Sequence, residues 1–226
     1  MRQRFFTNAS PDIGLVEGVP LPSKEVARDR VLDDDELARV ILAARKIGGP
    51  YGGIVELLVL TGQRRQEVAG LQREELDLAQ WIWTIPKART KNAKAHIVHL
   101  SKEALAVLKR AGQREPLVLS PLGTKTFQDF THAKRLLDQL SGVTGWRLHD
   151  LRRTCVSGMA RLGSAPHIAD KILNHQSGTI SGVAAVYQRH EFLAERREAL
   201  TRWGKHVARL VAEASGESRP RIRRVA

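Results

Sequence analysis

Residues 81–100 break the pattern of everything around them. "WIWTIP" and "HIVHL" are dense in aromatic and β-branched side chains, while "KARTKNAKA" between them is basic and polar. That alternation predicts an antiparallel β-hairpin with a cationic tip. The segments on either side carry helical periodicity, so the fold class expected is mainly α with a small antiparallel hairpin or sheet. "LDDDELARVILAARKIG" has acids in its first turn, Leu37, Val40, Ile41 and Ala44 at helical spacing and a closing glycine. "GGIVELLVLTG" is apolar enough to predict a buried helix, and "RRQEVAGLQ" starts the next one. Beyond the hairpin, Ser101 is an expected N-cap for "KEALAVLKRAG", and further helices are expected at about 127–140, 150–162, 166–174 and 190–213, with Pro166 in a first turn.

Residues 1–28 are punctuated by glycine, proline and serine and predict a linker or extended arm. One folded unit is expected over 29–211, followed by a basic, disordered tail at 212–226. Cys155 is the single cysteine, which excludes an intramolecular disulfide and a thiolate metal cluster, and its apolar neighbours predict a core thiol. No run approaches the roughly 18 apolar residues of a membrane span, and the amino terminus has no apolar signal region, so a cytoplasmic protein is expected. Lysine and arginine number 37 against 24 acids, a net charge of +13 that attracts polyanions, nucleic acid first among them. A merely solvated basic surface satisfies the charge equally well. Aromatics at 5% disfavour a single-strand binder built on stacked bases.

Four fragments carry possible chemistry. In "TGQRRQE" the chain turns at Gly62, and Arg64 and Glu67 stand three apart on the following helix, where a carboxylate can orient a guanidinium for phosphate; an exposed ion pair is the plainer alternative. The hairpin tip holds Lys87, Arg89, Lys91 and Lys94, a cationic finger for a phosphate backbone or simply a solvated loop. In "HDLRRT", a helix starting at Asp150 would turn Leu151, Cys155 and Met159 to the core, leaving His149 just ahead of the helix beside Arg152. In "LNHQSGTISGVAAVYQRH", His175 follows a helix and Tyr187 follows a Gly/Ser-rich loop; a buried tyrosine is the commoner fate of that residue.

Taken in order, "TGQRRQE", the lysine hairpin, "HDLRRT", "LNH" and the final tyrosine resemble the catalytic domain of tyrosine recombinases, the phage and genomic-island integrase family. The resemblance spans about residues 29–211 and implies the recombinase catalytic fold. It implies that Arg64 and Arg152 bind the scissile phosphate, that Glu67 supports Arg64, and that His149 and His175 assist with hydrogen bonds and proton transfer. Lys91 matches the general acid, counted back from "HIVHL", with Lys87 and Lys94 in the same loop. Tyr187 matches the nucleophile. "LNH" stands where many members have "LGH". Lys87, Arg89, Lys94 and Arg153 are expected DNA contacts. Further implications are double-stranded DNA as partner, a homotetramer on DNA, and no cofactor or metal, because a phosphotyrosyl bond conserves the energy of the phosphodiester. With so little chain before residue 29, a core-binding domain is expected to be absent, as in a catalytic fragment or truncated gene product. A DNA-binding remnant without catalysis and a type IB topoisomerase-like activity are the competing expectations.

Overall fold

The computed structural model describes residues 29–174 and 191–216. Helix α1 (Asp34–Ile47) begins in a capping box: the Asp33 carboxylate accepts from the Glu36 amide at 2.8 Å, and Glu36 accepts from the Asp33 amide at 3.1 Å. Its acids sit in the first turn and Arg45 and Lys46 in the last, each end complementing the helix dipole. Helix α2 (Gly49–Thr61) carries apolar residues on every side, and α1 lies against it. A helix apolar all round belongs in the interior. Its single charge, Glu56, is 4% exposed and is held by Arg45 at 2.9 Å and by Arg110 at 2.5 Å, so the buried carboxylate is fully paired.

Gly62 ends α2 in the left-handed conformation (φ 65°, ψ 12°), and the short helix α3 (Arg65–Ala69) follows at once. The expected hairpin forms between β2 (Ile82–Ile85) and β3 (His96–His99), antiparallel with Trp83 opposite Val98 and Ile85 opposite His96. A two-residue strand, β1 (Leu76–Asp77), adds a third edge opposite Trp83 and Ile82. Sequence periodicity misses it because two residues carry no alternation. Trp83 is fully buried and its indole donates at 2.9 Å to Glu75, in the turn that leads into β1.

Ser101 caps α4 (Lys102–Ala111) as expected, accepting from Ala104 at 3.2 Å. Helix α5 (Phe130–Ser141) starts three residues later than the periodicity suggests, because Asp129 takes the N-cap and accepts from the His132 amide at 3.3 Å. Helices α6 (Leu148–Arg161) and α7 (Pro166–Ile172) follow, α7 stopping two residues short of the expected end. Helix α8 (Leu193–Ser215) continues beyond residue 211 through Ser215. The four helices α1, α4, α6 and α8 surround α2. Leu151, Cys155 and Met159 are fully buried, as the four-residue spacing predicts, and Cys155 is a free core thiol whose pKa burial pushes up to about 12. No described helix is long and apolar enough to cross a membrane.

Candidate active site

The left-handed turn at Gly62 aims the start of α3 across the amino-terminal end of α6. Arg64 is the N-cap of α3, and the carboxylate of Glu67 accepts both its backbone N–H at 2.8 Å and its guanidinium at 3.0 Å. Glu67 is 4% exposed, so this is an oriented, half-buried pair and not the exposed ion pair its spacing also allowed. The guanidinium is aimed before any ligand arrives.

Helix α6 starts at Leu148, two residues ahead of the expected start. The Asp150 carboxylate accepts the Arg147 amide at 2.8 Å, and this capping contact makes Arg147 the N-cap. His149 therefore sits inside the first turn and does not precede the helix; its ring is nevertheless on the exposed side. Arg152, one turn on, is 4% exposed. Its guanidinium donates to the carbonyl of Gly62 at 2.6 Å and to that of Leu173 at 2.5 Å. Two helix ends, those of α2 and α7, thus hand their leftover carbonyls to one arginine.

Arg64, His149 and Arg152 line a single cleft of about 890 Å³ between α3, α5 and the start of α6. Its wall is cationic. Arg65 lies over the Phe130 ring at 4.7 Å, and Lys134 lies over Trp146 at 3.9 Å while pairing with Asp138 at 2.6 Å. Burial, then the neighbouring charge of Arg64, pulls Arg152 down to about 10, so it stays cationic at neutral pH. Burial, then Arg153 and Arg152, lowers the His149 pKa from its ordinary value and so favours the neutral ring. Two guanidinium groups that repel each other across a cleft are relieved by an anion placed between them.

The remaining expected residues are placed differently. Lys91, Lys87 and Lys94 are exposed on the hairpin loop, and Lys91 is not among the residues lining the cleft. Arg89, expected to contact DNA, is used internally: it pairs with Glu75 at 2.5 Å and donates to the Glu67 carbonyl at 2.5 Å, closing α3 onto the sheet. Arg153, also an expected DNA contact, pairs with the buried Asp150 at 2.6 Å and keeps about a third of its side chain exposed. His175 and Tyr187 lie outside the described residues.

Three residues at the carboxy-terminal end of α7 or bonded to it were not among the expected site residues. Gln63 donates to the carbonyls of Thr61 at 2.8 Å and Ile172 at 3.0 Å. His96, 5% exposed, meets the same Ile172 carbonyl through Nε2 at 3.0 Å. Asn174 has a left-handed backbone (φ 53°), which accounts for the asparagine of "LNH": after glycine, asparagine is among the residues that tolerate this region best. Only that last substitution left a trace in the sequence.

His96 yields a pH prediction. Burial first, then Arg196, pushes it down to about 3, with the Ile172 hydrogen bond opposing the shift. Above pH 6.5 the folded and unfolded chains both hold it neutral and the fold has its full stability. As pH falls from about 6.5 toward 3, the unfolded chain takes up a proton that the folded chain refuses, so stability declines, by about 2 kcal/mol between pH 6.5 and 5. Urea unfolding at pH 7 and pH 5 should show this loss, and His96→Gln should make the slope shallower; an unchanged slope would refute it.

The Phage integrase family description matches residues 30–192. The integrase of Salmonella phage P22 is 26% identical over 159 residues, covering 64% of this chain and 40% of that protein. A shufflon-specific DNA recombinase of Escherichia coli is 30% identical over 150 residues, covering 66% of this chain and 38% of that protein. The chain thus spans about two fifths of the length of these relatives. Among solved structures, the crystal structure of XerA recombinase superposes with a TM-score of 0.55 at 22% identity, over 88% of this chain and 67% of that one, which shows a shared fold.

Proposed function

Since the chain belongs to the phage integrase family, we propose that it carries the strand-cleavage chemistry of site-specific DNA recombination, through a 3′-phosphotyrosyl intermediate on Tyr187. The observation that carries this is the convergence of Arg64, Arg152 and His149 on one cationic cleft. The phenol oxygen of Tyr187 attacks phosphorus, a new P–O bond forms to tyrosine, and the bond to the 5′ oxygen breaks. The phenolic proton passes to a histidine or water, and the departing 5′ oxygen takes one from Lys91. A 5′-hydroxyl from another duplex reverses the sequence and joins it, so one phosphodiester is exchanged for another.

Arg64 and Arg152 supply donors to the non-bridging oxygens as charge grows on them, a role worth several kcal/mol in preorganised sites. A phenol with an ordinary pKa near 10 needs that help at neutral pH. His149, near both arginines, adds a hydrogen bond or accepts a proton; His175 is assigned the same kind of assistance. The net charge of +13 supports double-stranded DNA as the substrate, and assembly as a homotetramer on DNA belongs to the same reading. Lys87, Lys94 and the exposed part of Arg153 are available for DNA phosphates.

The test uses a pool of duplexes of randomised sequence, each nicked near the centre so that a cleaved fragment diffuses away. Covalent protein–DNA complexes surviving denaturation are expected with the unsubstituted chain and are lost in Tyr187→Phe. Retarded DNA without covalent complexes would overturn the catalytic reading and leave a DNA-binding remnant. On intact duplexes, cleavage and resealing without joining of two different ones would identify topoisomerase-like activity.

A further inference from the structure

The carboxy-terminal end of α7 collects bonds from four separate elements. Ile172 receives Gln63 and His96, Leu173 receives Arg152, and Asn174 faces the hairpin loop. There the side-chain amides of Asn92 and Asn174 pair reciprocally: Asn92 Nδ2 donates to Asn174 Oδ1 at 2.6 Å, and Asn174 Nδ2 donates to Asn92 Oδ1 at 3.2 Å. Asn92 Nδ2 also approaches the Asn174 carbonyl at 3.4 Å. Lys91, Ala93, Lys94 and Ala95 around it are exposed, so among the described residues this pair ties the tip of the loop to the helical body. Thr90 stiffens the loop from within, its hydroxyl donating to the carbonyls of Lys87 at 3.1 Å and Lys94 at 2.8 Å.

We propose that the Asn92–Asn174 amide pair is a latch that positions Lys91 for proton transfer to the leaving 5′ oxygen, making both asparagines positioning residues. This rests on the reading of Lys91 as general acid. The latch joins the residue next to Lys91 to the residue next to Leu173, whose carbonyl Arg152 holds. Phosphate clamp and proton donor are thereby registered to one three-residue stretch. Asparagine suits position 174 on two counts, since it accepts the left-handed backbone and offers both a donor and an acceptor. Glycine there would keep the backbone and abolish the latch.

The experiment compares Asn92→Ala, Asn174→Gly and Lys91→Ala in single-turnover cleavage of a trapped nicked duplex, with either oxygen or sulfur at the bridging 5′ position. Sulfur leaves without a proton donor. On the oxygen substrate, Lys91→Ala is expected to slow cleavage by about 10²-fold or more, and each asparagine variant by about 10-fold or more through misplacement. On the sulfur substrate all three should approach the unsubstituted rate. An asparagine variant that matches the unsubstituted chain on oxygen, or is slowed equally on both substrates, overturns the latch. Lys91→Ala without sulfur rescue instead overturns the general-acid reading. Hydrogen exchange of the amides at residues 91–95 needs no catalysis: both asparagine variants should exchange faster there, and unchanged exchange overturns the latch whatever the cleavage result.

Discussion

Arg152→Ala is expected to remove detectable covalent product and to weaken the fold in the same step. The loss of one preorganised donor group at a phosphoryl-transfer centre costs about 10²–10³ in rate. The structural cost comes from the Gly62 and Leu173 carbonyls, both buried with this guanidinium as donor at 2.6 and 2.5 Å. Stranding two buried acceptors should cost about 3 kcal/mol. Only two of the five N–H groups of a guanidinium are engaged in these bonds, and the side chain also lines the cleft, so under the proposed function one residue would both join two helix ends and hold the phosphate. Arg152→Lys keeps the charge but has no fork with which to span two helix ends, so it should recover part of the stability and little of the cleavage. Denaturant unfolding and covalent trapping, measured on the same preparations, check both. Full stability in Arg152→Ala would mean that the two carbonyls find other donors.

The largest effect on stability alone is expected at Trp203, on α8. The ring is fully buried, donates to the Val59 carbonyl in α2 at 2.8 Å, and stacks on His206 at 5.6 Å. It rests directly on Gly158 of α6, where any Cβ would overlap the six-membered ring. Trp203→Ala should cost about 4 kcal/mol from lost burial and the cavity left behind, with the orphaned Val59 carbonyl adding to it. Trp203→Phe should retain most of the packing and lose about 1–2 kcal/mol with the hydrogen bond. Denaturation midpoints for the two variants separate these contributions, and equal losses would show that packing is not the dominant factor. Helix α8 is also tied to β3 through buried Arg196, which donates to the Ile97 carbonyl, so amide exchange along 193–215 should rise in Trp203→Ala.

Arg64 with Glu67 illustrates what was legible and what was not. Their three-residue spacing was visible, and so was the pairing, because a contact between an N-cap and the third helical residue is local. Whether the carboxylate was buried depended on what α3 packs against. Arg89 shows the converse: in the chain it is one of several cations in a polar loop, but Glu75 and the Glu67 carbonyl claim it. No local rule distinguishes it from Lys87 or Lys91. His149 was displaced into its helix by a capping contact between Arg147 and Asp150, a short-range choice that propensity alone does not decide.

By itself the sequence determined the main helices and the β2–β3 hairpin, though not β1 or every helix end, together with the interior course of α2, the core faces carried by Leu151, Cys155 and Met159, and the ordered motifs of an integrase family member. Those features are encoded by periodicity, punctuation and residue type over a few turns of chain. The tertiary structure alone decided that Gly62, Ile172 and Leu173 would lend their carbonyls to Arg152, Gln63 and His96, and that Asn92 would meet Asn174. Such partners lie 21 to 109 residues apart. Their pairing follows from the docking of helix ends around α2, because buried carbonyls must find donors wherever packing brings them.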